Sequence, residues 1–102
     1  MAEIGSGPIS YRQLNPGAKD SLLQIMYERY EPGADTGPSM LTHEGEEGGF
    51  VISGHVQIHI KDQSRILGPG EGYQFPSTLP HRFRNVSDTP CIIMSACTPR
   101  SF

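Results

Sequence analysis

Phe50-Val51-Ile52-Ser53-Gly54-His55-Val56-Gln57-Ile58-His59-Ile60 decides the class of this chain. Val56, Ile58 and Ile60 alternate with His55, Gln57 and His59, the period-two pattern of a half-buried strand. Downstream, Lys61-Asp62-Gln63-Ser64 is a polar reversal before Arg65-Ile66-Leu67, which makes a hairpin. Gly68-Pro69-Gly70 suits a tight turn, Tyr73 to Phe75 resume an extended run that stops at Pro76, and Pro80 precedes another at His81. Ser87-Asp88-Thr89 turns the chain once more before a last apolar strand over 91–98. Upstream, residues 22–30 fit a strand or a short helix, and Pro32-Gly33 cuts the run short, which favours the strand. Residues 31–38 read as a loop. Short strands at near-regular intervals, without an amphipathic helix, predict an all-β barrel or sandwich.

A chain of 102 residues has room for one modest core and no second catalytic domain. Twelve Gly and nine Pro fall between the apolar stretches, as turns between strands require. The net charge of −3 supplies no basic field for phosphate neutralisation, so direct nucleic-acid contact by this chain is not expected. Cys91 and Cys97 would lie roughly 20 Å apart along one extended strand, beyond disulfide reach, and read as reduced core thiols. No apolar run approaches the ~20 residues of a membrane span, and no signal peptide opens the chain, which makes a cytoplasmic location without membrane contact the expectation. Residues 1–8 read as a linker or an expression remnant, and 9–102 as the single domain.

His43, Glu47 and His81 are ligand types for a divalent first-row metal, and the spacing of His43 and Glu47 puts both on one face if the segment is extended. On spacing alone the plainer reading, solvated polar residues, has the advantage. His43-Glu44 begins like the zinc-protease pattern H-E-x-x-H, but position 47 is Glu. Gly45, Gly48 and Gly49 would also burden a helix by about 1 kcal/mol each in its interior. Tyr73, Phe75 and Phe83 are the expected apolar walls of a ligand site around the trio, with core packing the equal alternative. His55 and His59 alternate away from the apolar side and are expected at a surface or dimer interface. Glu44 and Glu46, and likewise Arg82 and Arg84, fall opposite the candidate residues and read as solvated charges.

Two longer motifs bind these residues together. Leu41-x-His43-x3-Glu47-x6-Gly54 and Gly70-x5-Pro76-x-Thr78-x2-His81-x3-Asn85, with fifteen residues between them, resemble the paired motifs of the cupin superfamily. The resemblance implies a small antiparallel double-stranded β-helix, a jelly-roll barrel. It implies a metal site at His43, Glu47 and His81 for iron, manganese, nickel or zinc, or a metal-free pocket that keeps those side chains for an organic ligand. Three positions depart from the pattern: Leu41 stands at the first family His, Asp35 at the leading Gly, and Thr78 at a Gly.

A narrower resemblance runs through Tyr30-Glu31-Pro32-Gly33-Ala34, His43-Glu44-Gly45-Glu46-Glu47, Val51-Ile52-Ser53-Gly54, Phe75-Pro76-Ser77 and Pro80-His81-Arg82-Phe83-Arg84-Asn85. It is to the C-terminal sensor domain of bacterial XRE-type helix-turn-helix/cupin transcriptional regulators, whose members commonly sense polyamines or amino-acid-derived metabolites. The resemblance implies a small-molecule effector and no catalytic residue. It also implies DNA contact through a separate helix-turn-helix domain, with this chain expected as the part excised from a longer protein. A homodimer is expected because it would cover edge strands that otherwise invite uncontrolled pairing. The alternative is a metal-dependent oxygenase or isomerase using the same two His and one Glu.

Overall fold

A computed structural model describes residues 2–4, 8–14, 20–37 and 42–99. Nine strands run in chain order: β1 (Ala2–Ile4), β2 (Ile9–Gln13), β3 (Gln24–Tyr30), β4 (Glu46–Ser53), β5 (Val56–Ile60), β6 (Gln63–Leu67), β7 (Gly72–Pro76), β8 (His81–Arg84) and β9 (Cys91–Thr98). No helix occurs among the described residues. Every strand pairing is antiparallel, in a six-stranded sheet ordered β1-β2-β3-β9-β4-β7 and a three-stranded sheet ordered β6-β5-β8. The expected jelly-roll barrel is therefore present. Its central strand, β9, separates β3 from β4, so a long-range pairing joins the two halves of the chain.

Alternation explains which face of each strand is buried. Cys91, Ile93 and Cys97 point inward on β9 and are buried, while Met94 between them is exposed. The same holds for Val51 between exposed Phe50 and Ile52 on β4, and for Val56 and Ile58 on β5. These inward residues meet Tyr30, Leu67, Phe75 and Phe83 in one core between the sheets. The turn after β5 is Lys61-Asp62, with Lys61 at positive φ (55°), and β6 already begins at Gln63. Cys91 and Cys97 are both free and buried, as expected of core thiols.

The strand read over 22–30 starts at Gln24, and Ala2–Ile4, inside the segment read as a linker, pair with β2 as β1. Arg82 and Arg84 are not simply solvated. Both reach Asp35: Arg82 donates twice, once at 2.9 Å from Nε and once through a shorter Nη2 contact, and Arg84 Nε lies 3.2 Å away. The Arg82 hydrogen bond is the largest cause holding the Asp35 carboxyl down to about 2. The residue at the family's leading Gly position thus straps the 31–37 loop onto β8, where Asp35 also forms an isolated bridge to Arg84. Leu41 and Pro38 lie outside the described residues, so the departure at Leu41 has no structural account.

Candidate functional site

Three separate segments deliver the polar trio. Glu47 is the second residue of β4 and shares the inward face with Gly49 and Val51; its cross-strand partners are Phe75 and Cys97. His81 opens β8 on the opposite sheet. His43 does not lie on an extended strand with Glu47: it sits in the loop before β4, separated by a turn at Gly45 with φ of 95°. A side chain is barred at Gly45 on two counts, because a Cβ would also come within 2.0 Å of the Thr98 carbonyl oxygen. The loop is held by reciprocal backbone hydrogen bonds, His43 N–H to Ser77 O at 3.0 Å and Ser77 N–H to Gly45 O at 2.8 Å.

The result is one carboxylate between two imidazoles. His43 Nε2 lies 3.3 Å from Glu47 Oε2, and His81 Nε2 lies 3.0 Å from Glu47 Oε1. One ligand atom from each of the three residues fits within 4.8 Å of the others. His81 is buried, Glu47 nearly so, and His43 stands at the rim.

The hydrogen bonds of His81 say what the cluster wants. Its Nδ1 lies 2.8 Å from the Leu79 carbonyl, which can only accept, so Nδ1 carries a proton. Nε2 of a neutral ring would then present a lone pair to the Glu47 carboxylate, an acceptor facing an acceptor. A cation between them resolves the conflict, either a second proton on His81 or a metal ion. Burial pulls the His81 pKa down, but the hydrogen bond to Glu47, the Leu79 carbonyl and the Glu47 charge outweigh it and raise the value. Two imidazoles and a carboxylate also form a suitable donor set for a divalent first-row ion, with the remaining positions left to water or ligand.

Beside the trio is a cavity of about 150 Å³, lined by Tyr73 and Phe83 together with Tyr11, Glu28, Tyr30 and Ser95. Phe75 is not in that lining. It packs behind His81 with ring centroids 4.9 Å apart and belongs to the core. His55 and His59 sit on and beside β5, away from the cluster; His55 is exposed and His59 half-buried. Glu44 and Glu46 are exposed, as expected.

Glu28 is the site residue that sequence reasoning passed over. It is buried, accepts a hydrogen bond from Tyr30 Oη at 3.1 Å and a shorter one from Ser95 Oγ, and faces the same cavity as Glu47. Desolvation, helped by the Glu47 charge and opposed by the Ser95 and Tyr30 hydrogen bonds, pushes its carboxyl up to about 7. A signal existed in the sequence. Gln24, Met26, Glu28 and Tyr30 are the inward series of β3, so a carboxylate falls where alternation predicts burial.

Residues 26–97 match the family model of the cupin domain. The chain is a cupin. Over all 102 residues it is 35% identical to the HTH-type transcriptional regulator PuuR of Escherichia coli K12, and equally to that of Shigella flexneri. It covers 55% of the regulator's length, so it spans about half of the curated relatives it matches. Among solved structures, the cupin domain of an XRE family transcriptional regulator from Enterobacter cloacae is 28% identical with a TM-score of 0.79, covering 92% of this cupin and 100% of that chain. A cupin sugar phosphate isomerase from Silicibacter pomeroyi shares the fold, with a TM-score of 0.77 at 23% identity over 91% of this chain and 60% of its own. This cupin is thus homologous to helix-turn-helix regulators, and its fold is shared with enzymes. No helix among its described residues is long and apolar enough to cross a membrane.

Proposed function

We propose that this cupin is the effector-sensing part of a helix-turn-helix transcriptional regulator, acting as a homodimer in the cytoplasm, where a separate domain contacts DNA. The observation that carries the reading is the cavity between Tyr73, Phe83 and the His43–Glu47–His81 cluster, in a chain homologous from end to end to such regulators. The cavity is partly open and of a size for a small organic molecule. Two carboxylates, Glu28 and Glu47, face the cavity, which favours a ligand carrying hydrogen-bond donors. His43, Glu47 and His81 would hold iron, manganese, nickel or zinc, which when bound supplies a positive anchor for a ligand oxygen or nitrogen. The effector acts by binding two conformational states with different free energies, and the difference reaches the DNA-binding domain.

The enzyme reading has its own support. No separate acid or base was evident in the sequence, yet Glu28 is a buried carboxyl in the same cavity with its pKa near neutrality. A thermal-shift screen of polyamines, amino acids and small organic acids, with and without the four metals, separates the two. A compound that only binds stabilises the fold by about 2.7 kcal/mol at a hundredfold excess over Kd and is recovered unchanged. Metal-dependent conversion of a stabilising compound, abolished in His81→Ala, would replace the sensor with an oxygenase or isomerase.

A further inference from the structure

Strand β6 turns its charge inward and an isoleucine outward. Residues directly opposite one another across an antiparallel pair share a face, and β5 sets Val56 against Leu67, Ile58 against Arg65 and Ile60 against Gln63. Val56, Ile58 and Leu67 are core residues, so Arg65 and Gln63 stand on the inward side of β6, while Ile66 stands on the outer side, 56% exposed. Strands β6 and β7 are the edges of different sheets and do not pair with each other, which leaves the barrel open along the seam between them. That seam holds a pocket of about 320 Å³, within the range of small-molecule sites. Ile58, Ile60, Leu67 and the Tyr73 ring form its apolar walls, Gln63 offers an amide, and Arg65 is the one charged residue of the described lining.

From this we infer that the seam between β6 and β7 is a second small-molecule site, taking an organic anion whose carboxylate or phosphate pairs with Arg65 and whose apolar body lies against Tyr73 and Ile60. The guanidinium is available for it. Among the described residues Arg65 makes no ion pair. The acids nearest to it in sequence do not line the pocket: Asp62 lies in the turn between β5 and β6, and the Glu71 carboxylate accepts from Gly68 N–H at 2.8 Å. A planar fork of donors facing apolar walls matches a ligand with one anionic end. An inward charge on an edge strand also discourages pairing with another chain, but that role requires neither a pocket nor an aromatic wall beside it. The inference goes beyond the sensor reading, because it adds a ligand of opposite charge preference at a place apart from the two carboxylates of the inner cavity. Among the described residues Tyr73 alone lines both spaces, so its ring is the contact through which an occupant of one meets an occupant of the other.

Titration of the isotope-labelled, metal-free chain with benzoate and with phenyl phosphate, followed by amide NMR shifts, tests the inference. Saturable shifts are expected at Gln63 to Arg65 on β6 and at Gly72 to Gln74 on β7, and the tighter of the two anions identifies the group that Arg65 receives. Benzamide, the same body without the charge, should bind at least about tenfold more weakly, and Arg65→Gln should weaken the anions by a similar factor. Arg29→Gln, which removes an equal charge from an exposed position on the other sheet, should leave binding unchanged. Shifts confined to Glu47, His81 and Ser95 would place the anion in the inner cavity and overturn the second site, as would the absence of saturable shifts on β6. Anion affinity unchanged in Arg65→Gln, with self-association as the variant's one effect, would assign Arg65 to guarding the edge of β6 and overturn the inference as well.

Discussion

Replacing Glu28 by Gln isolates the energetic consequence of a buried carboxyl at a ligand site. Burial raises its pKa from an ordinary 4.5 to about 7 in the folded protein. Because the native state then holds a proton that the unfolded chain has released, stability is greatest below pH 4.5, falls as pH rises toward 7, and levels off above it. At about 1.4 kcal/mol per tenfold, that interval is worth about 3 kcal/mol, a large part of the 5–15 kcal/mol of a typical domain. The amide that replaces the carboxyl cannot titrate. It keeps one acceptor oxygen and places an NH2 group against one of two hydroxyls that can rotate to accept it, an exchange worth about 1 kcal/mol. The variant should therefore be less stable than wild type by about 1 kcal/mol at pH 4, equal near pH 5, and more stable by about 2 kcal/mol at pH 8. Urea denaturation at several pH values, with equal m-values required before comparison, reads the difference directly. His81, whose raised pKa also favours low pH, titrates in both proteins and cancels in that difference. A stability difference that stays constant between pH 4.5 and 8 would refute a neutral Glu28 in the native barrel.

Metal affinity for the trio should fall as pH drops through the raised pKa of His81, by up to about tenfold per pH unit for each proton displaced; titration of the chain with zinc or manganese across pH 5 to 8 measures the slope, and a flat profile would exclude His81 as a ligand. Gly45→Ala should push back the loop bearing His43 and lower metal affinity by about tenfold or more, the size seen when groups that orient ligands are lost. Unchanged binding would show that the Thr98 carbonyl yields without moving His43. Asn85→Ala should destabilise the fold by about 2–4 kcal/mol in chemical denaturation. The buried Asn85 amide donates to Tyr30 O at 3.0 Å and Thr89 O at 2.8 Å and accepts from Ser87 N–H at 2.9 Å, so its loss strands backbone groups of two elements. A loss below about 0.5 kcal/mol would mean that water replaces it.

What was legible in the sequence followed a local rule. Strand β5 announces itself because alternation over Val56 to Ile60 is a property of five consecutive residues, and β8 and β9 follow from the same rule. His43 and Glu47 shared a face in the sequence reading only by assuming an extended backbone; in the structure they meet across a bend at Gly45, which has φ of 95° and whose missing side chain leaves room for the carbonyl of residue 98. Phe75 and Phe83 are both buried aromatic residues, and nothing local says that one lines the cavity while the other backs His81. Glu28 was hidden for the opposite reason. Its position in β3 predicts burial, but a carboxylate is ordinarily too costly to bury, so the local rule and the residue type conflict. The conflict is resolved 67 residues away by Ser95 on β9 and two residues away by Tyr30, together with a pKa raised to about 7, which keeps the group protonated below that pH. Places where strand pattern and residue chemistry disagree are thus where this cupin departs from a plain barrel, because the fold tolerates such a residue only when other elements are arranged around it.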